Sequence, residues 1–167
     1  DARPGTQALS FHTLRWLGAA QAARALLADK NPPPDVDALL LTALALLWPA
    51  SEPPYAEHTL VDQAVAAARS RAKPSASFVN AVLRRFLRER DEIEAKVLRD
   101  PVAALNHPAW WIERLRGDWP GQWQGILTAA NLRPPMTLRV NARQGTAAAY
   151  VDRLAAQGIA ASAAGAQ

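Results

Sequence analysis

The sequence predicts a mainly α fold: a helical bundle followed by a short, incomplete α/β segment. Three observations carry this prediction. Half of the 167 residues are hydrophobic, and alanine and leucine, both strong helix formers, dominate that half. Apolar residues recur at helical spacing through the first hundred positions, and the thirteen prolines help cut that pattern into helix-length pieces. Only near Thr137 does the period change to the two-residue alternation of a strand.

Thr6 to about Asp29 reads as one helix with Leu9, Leu14, Leu17 and Leu26 towards a core, weakened in its middle by Gly18; Asn31 to Pro34 (NPPP) ends it. Asp35 to Trp48 is apolar nearly all round, the pattern of a buried central helix. A loop, Pro49 to Pro54, leads to a helix from about Tyr55 to Arg69 with Leu60, Val61, Ala64, Val65 and Ala68 inward. Lys73-Pro74-Ser75 breaks the chain again, and Ser75 or Ser77 is suited to cap the next helix. At about 100° per residue, Phe78, Val79, Val82, Leu83, Phe86 and Leu87 of that helix fall in one half of the wheel, and Arg84, Arg85 and Arg88 on the other. The acid-rich run from Asp91 to Asp100 extends it past a bend near Arg90.

Beyond Pro101 four of the six tryptophans crowd together: Trp110, Trp111, Trp119 and Trp123. Two short helices are expected, one with Pro108 at its first position and one over about Pro120 to Ala130. The tryptophans read first as core and interdomain packing, and only second as base-stacking rings. Thr137 to Asn141 alternates polar and apolar as a strand does; Thr146 to Gln157 is a helix capped by Thr146 and closed by Gly158, and Ile159 starts another strand. A helical domain over 1–100 and a linking region over 101–167 are the expected divisions.

Charge is concentrated where the amphipathic helix lies. The stretch from Arg69 to Arg90, RSRAKPSASFVNAVLRRFLRER, holds seven basic residues against one acid, Glu89, a local net of +6. The chain has 19 basic and 15 acidic residues, so 12 basic and 14 acidic residues remain elsewhere, a net of −2. A localised excess is the electrostatic footprint of a polyanion partner. Arg69, Arg71, Lys73, Asn80, Arg84, Arg85 and Arg88 are the candidate residues for contacting such a polyanion. The competing reading is a solvated face, or ion pairs to the acidic run that follows.

Catalytic chemistry has no visible foothold. There is no cysteine, which excludes disulfides, thiolate-bound zinc and a cysteine nucleophile. His12, His58 and His107 are scattered without metal-ligand spacing, and the eight glycines form neither GxGxxG nor a P-loop. No catalytic, metal or cofactor-binding residue is nominated. The apolar run from Ala38 to Trp48 is far below the roughly 20 residues a bilayer requires, and no apolar signal core opens the chain, so a cytoplasmic location is the expectation.

Phe78 to Phe86 (FVNAVLRRF) resembles the signature helix of the NusB-like RNA-binding fold, which implies that the polyanion is RNA. His107 to Trp111 (HPAWW) followed by Asn131 to Asn141 (NLRPPMTLRVN) narrows the resemblance to ribosomal-RNA cytosine-C5 methyltransferases of the RsmB/Sun type. The resemblance covers nearly the whole chain. It implies a NusB-like helical bundle, then a small linking region, then a Rossmann-like catalytic domain that uses S-adenosylmethionine. That family's catalytic domain carries a glycine-containing cofactor loop and two cysteines, one to attack C6 of the cytosine and one to assist release. None of these is present here. The chain therefore reads as an N-terminal piece of such an enzyme, inactive alone, with ribosomal RNA and its own missing catalytic domain as partners.

A start at Asp1 implies that the family's first bundle helix is missing as well, which leaves an apolar face through which a non-native dimer can form. Arg133, Arg139 and Asn141 form a second set; Arg139 and Asn141 share a strand face that meets either RNA or the catalytic domain. The alternative is a stand-alone NusB-like adaptor for RNA and protein in transcription antitermination. The NLRPPMTLRVN segment speaks against it, because a purely helical adaptor has no use for a strand.

Overall fold

A computed structural model of the chain describes residues 2–49 and 55–164. The loop expected over Pro49 to Pro54 lies, apart from Pro49, outside the described residues. The structure divides into two compact units, Asp1–Leu132 and Arg133–Gln167.

The first unit is a helical bundle. Its helices are α1 (Arg3–Arg15), α2 (Leu17–Leu27), α3 (Pro34–Leu47), α4 (Glu57–Arg71), α5 (Ala76–Arg88), α6 (Arg90–Val97), α7 (Pro101–Leu105), α8 (Ala109–Asp118) and α9 (Trp123–Ala130). Helix α3 is the central one, as its apolar composition requires, and packs against α1, α2, α4 and α5. Pro34 starts it and Asp35 and Asp37 place negative charge at its N-terminus, where the helix dipole favours it. Its buried residues Leu40, Leu44 and Leu47 and the following Trp48 meet Val61, Ala64, Ala68, Val79, Leu83 and Phe86 in one apolar cluster. All five inward residues expected on α4 are buried. A smaller cluster of Ile112, Leu115 and Leu127 holds α8 to α9, with Trp123 packed on it.

The expected single N-terminal helix is two helices, broken at Trp16 (φ −110°, ψ 16°). The break resets the helical phase for Leu26, and Leu14 sits about 140° round α1 from Leu9, so both, expected inward, are exposed. Gly18 follows the break because backbone approaches it closely. A Cβ there would stand 3.0 Å from the Val102 carbonyl oxygen and 3.2 Å from the Cα of Asn106. The break also frees N–H groups at the start of α2, and Asn106 Oδ1 accepts one of them, from Ala19, at 2.8 Å. Asn106 itself sits in the left-handed region (φ 55°) that ends α7. Gly18→Ala should therefore cost about 1–3 kcal/mol through overpacking against backbone that has little freedom to retreat. Thermal unfolding of the two forms checks this, and equal midpoints would mean that α2 and α7 separate freely.

His12 of α1 lies against the Ala45 backbone of α3, and its Nε2 is buried without a hydrogen-bond partner among the described residues. Burial lowers its pKa below the ordinary 6.5, and the charge of Arg15 adds to that. The fold thus holds His12 neutral. Between that lowered pKa and 6.5 the unfolded chain binds more protons than the folded one, so stability is full above this window and falls as pH drops through it. Acidification from about pH 7.5 to about pH 5.5 should lower the melting midpoint more in the natural protein than in His12→Gln. Equal losses would remove His12 as the cause.

The start of α5 differs from the expected serine cap. A 3-10 turn, Lys73–Ser75, runs directly into the helix, and the Ser75 side chain makes no capping hydrogen bond. Bending between α5 and α6 falls at Glu89, close to the expected place. Pro108 is the residue before α8, one position earlier than expected.

In the second unit α10 (Ala147–Ala155) has the expected ends. Thr146 Oγ1 accepts from Ala149 N at 3.2 Å, and Gly158 (φ 74°) lets Ile159 N reach back to the Leu154 carbonyl at 3.0 Å. The strands expected at Thr137 to Asn141 and from Ile159 are irregular instead, and no strand occurs among the described residues. The physical reason is that alternation alone makes no strand: its N–H and C=O groups need a ladder partner, and the described residues offer none.

Candidate nucleic-acid interface

Helices α4 and α5 form a hairpin, and the basic block lies along it. Arg69 and Arg71 occupy the last turn of α4, where positive charge also favours the helix C-terminus, and Lys73 is in the 3-10 turn. All three are exposed. Arg84, Arg85 and Arg88 stand exposed on α5, opposite the buried Val79, Val82, Leu83 and Phe86. At 1.5 Å rise per residue, about 12 Å of helix axis separates the start of α5 from Arg84 and about 18 Å from Arg88. The structure therefore draws the seven nominated residues into an elongated track along one hairpin.

Its arginines are not equivalent. Arg85 Nε donates to Glu89 Oε2 at 2.9 Å, and the Arg85 charge also reaches Glu92. Glu92 has its pKa lowered first by its hydrogen bond from Lys96 and then by Lys96's charge, with Arg85 a smaller cause. Arg85 is thus partly absorbed by the acidic run. Arg84 and Arg88 have no carboxylate partner among the described residues. Asn80 Oδ1 accepts from Arg84 Nε at 3.0 Å, so Asn80 steers Arg84. Arg90 is drawn off the track, paired with Glu57 and lying 5.8 Å over the Phe86 ring.

Sequence reasoning placed Phe78 in the core; it is 38% exposed. The wheel contained the signal, since Phe78 is at the edge of the apolar arc and only about 20° from Arg85. An aromatic ring therefore borders the arginine face. The tryptophans, expected in core and interdomain packing, divide. Trp110, Trp111 and Trp119 are 67%, 37% and 54% exposed, and only Trp123 packs into the smaller core, under Arg116 at 4.6 Å. Next to them, the two segments that carried the resemblance do structural work: His107 Nδ1 and Asn131 Nδ2 both bond the Leu105 carbonyl, at 2.6 and 2.8 Å.

In the second unit Arg139 and Asn141 line one cavity despite the missing strand, while Arg133 does not line it. No group of three or more metal-ligating side chains occurs among the described residues, and no helix there is long and apolar enough to cross a membrane.

Residues 5–88 match the NusB family model, and residues 107–166 match the ferredoxin-like domain model of the RsmF/B-like methyltransferases. The chain is 41% identical over 162 residues to the ribosomal RNA small subunit methyltransferase B of Pseudomonas putida, and 37% identical over 161 residues to the probable enzyme of that name from Coxiella burnetii. These alignments cover 95% and 93% of the chain but 36% of each relative. The Escherichia coli protein of the same name is 40% identical over 104 residues, 62% of the chain and 23% of that relative.

Proposed function

Because the chain belongs to the NusB family, we propose that its bundle binds ribosomal RNA on behalf of an S-adenosylmethionine-dependent methyltransferase that modifies cytosine C5 in small-subunit rRNA. Residues 1–100 recruit and position the RNA, and residues 101–167 link that domain to the catalytic one. The observation that carries this reading is the α5 face, on which Arg84 and Arg88 stand exposed and without carboxylate partners among the described residues, above a buried apolar face. The match over residues 107–166 favours it over a free-standing antitermination adaptor.

The chemistry assigned to these residues is positioning. Guanidinium and ammonium groups along the hairpin neutralise successive phosphates and release counterions, which fixes RNA in place without reading its sequence. Phe78, at the edge of the track, supplies a ring face on which an unpaired base can stack. No methyl-transfer step is assigned to this chain. The chain has no cysteine to attack a base.

Ultraviolet crosslinking of the chain to small-subunit rRNA, followed by peptide mapping, tests the reading. Crosslinked peptides from residues 69–90 are expected. Crosslinks confined to other segments would overturn the role of the hairpin.

A further inference from the structure

The balance of −2 outside the Arg69–Arg90 block hides a second basic island. Residues 133–167 hold Arg133, Arg139, Arg143 and Arg153 against a single acid, Asp152. In this unit the segment from Leu138 to Asn141, the Gln144–Thr146 turn and one face of α10 through Arg153 bound a cavity of about 370 Å³. That lies within the roughly 300–1,000 Å³ of small-ligand sites. Its polar lining is Arg139, Asn141, Gln144, Thr146, Tyr150 and Arg153.

The rim is already shaped. Asn141 Oδ1 accepts from Arg143 N at 3.0 Å, the Asn141 carbonyl accepts from Gln144 N at 2.8 Å, and Thr146 caps α10. The Asn141 oxygen is therefore engaged with backbone while its amide NH2 is left to donate. Arg139 and Arg153 are exposed, and neither has a carboxylate partner among the described residues. The Arg153 guanidinium lies 4.7 Å from the centroid of the half-buried Tyr150 ring. A guanidinium laid on an aromatic face keeps its N–H edge for an anion and offers its outer face to a further ring.

Two cations, one amide donor and a guanidinium–tyrosine stack in a single cavity match a nucleotide's phosphate, base edge and base face. We propose that this cavity is a second RNA site, which takes one nucleotide of single-stranded RNA with its phosphate on Arg139 and the edge of Arg153 and its base on the Arg153–Tyr150 stack. The inference rests on RNA being the partner of this chain, but it is independent of the α5 track.

The test uses the 167-residue chain and a fluorescein-labelled uridine dodecamer, with affinity measured by anisotropy across a salt series. Arg139→Gln with Arg153→Gln should lower the log–log salt slope by about 1.4, at about 0.7 per lost single-strand phosphate contact, and weaken binding on the order of 25-fold at 0.1 M salt. In the unaltered chain, a 4-thiouridine version of the dodecamer should crosslink to the peptide containing Tyr150. Arg84→Gln with Arg88→Gln is measured in parallel. An unchanged slope in the Arg139/Arg153 variant overturns the second site, and the island then serves a protein surface; if the Arg84/Arg88 variant still loses slope, the α5 reading stands. Unchanged slopes in both variants overturn both sites, and a dodecamer that the unaltered chain does not bind overturns RNA as the partner. A lowered slope without a Tyr150 crosslink also overturns the site, because it marks diffuse attraction rather than an occupied cavity.

Discussion

Replacing Arg84, Arg85 and Arg88 together with glutamine should weaken single-stranded RNA binding by roughly 25- to 125-fold at 0.1 M salt and lower the log–log salt slope by about 1.4–2.1. The upper value corresponds to three lost phosphate contacts and the lower to two. The lower bound arises because Arg85 is already engaged with Glu89 at 2.9 Å and must give up that pairing to reach a phosphate. The single variants should therefore rank with Arg88 and Arg84 ahead of Arg85. Asn80→Ala removes the acceptor that steers Arg84 Nε, so it should lower affinity modestly while leaving the slope unchanged, because the charge is retained. All three arginines are exposed, so the melting midpoint should barely move. Anisotropy titrations across salt, beside thermal melts, check each point. A triple variant with natural slope and affinity would reduce this face to ordinary solvated surface.

How much of this was legible in the sequence follows from what each signal measures. Helical periodicity reports burial faithfully where a helix is continuous and flanked by neighbours, and all five expected inward residues of α4 are buried. It fails across a break: one phase carried from Leu9 to Leu26 puts Leu26 inside, where it is not, while Leu14, about 140° round α1 from Leu9, leaves that face before the break. The start of α2 after the break is capped by Asn106, 87 residues from Ala19, and local pattern holds no trace of such a contact. Phe78 shows a milder form of the same limit, since a wheel gives angle but not what stands opposite the first turn. The strand at Thr137 to Asn141 failed because pairing is non-local. For the candidate sites, the charge block was visible because its residues are contiguous. Arg153 and Tyr150 escaped notice because they join Arg139 and Asn141 only when α10 folds back over that segment. Which arginines are spent on carboxylates needed side-chain geometry, since Glu89 pairs with Arg85, while Arg88, its sequence neighbour, has no carboxylate partner among the described residues.

The α5 helix serves the core and the surface at once, and Phe86→Ala should separate those roles by removing the first. Phe86 is fully buried, stacks on Trp48 with centroids 6.3 Å apart and planes 27° apart, and lies beneath Arg90. Truncation deletes a ring at the meeting point of α3 and α5, and a close-packed interior closes such a void only partly. The expected loss is about 3–5 kcal/mol, a large share of the roughly 5–15 kcal/mol that holds a domain folded. The melting midpoint should fall by roughly 6–20 °C. Phe86→Leu retains apolar volume and loses only the ring contacts with Trp48 and Arg90, so its fall should be smaller. At a temperature where the leucine variant is fully folded, its RNA salt slope should equal that of the natural protein, because Arg84 and Arg88 project from the opposite side of the helix. If the leucine variant loses slope while still folded, the arginine track depends on fine positioning by the core. A midpoint shift below about 2 °C in the alanine variant would mean that the α3–α5 contact is not what holds the bundle together.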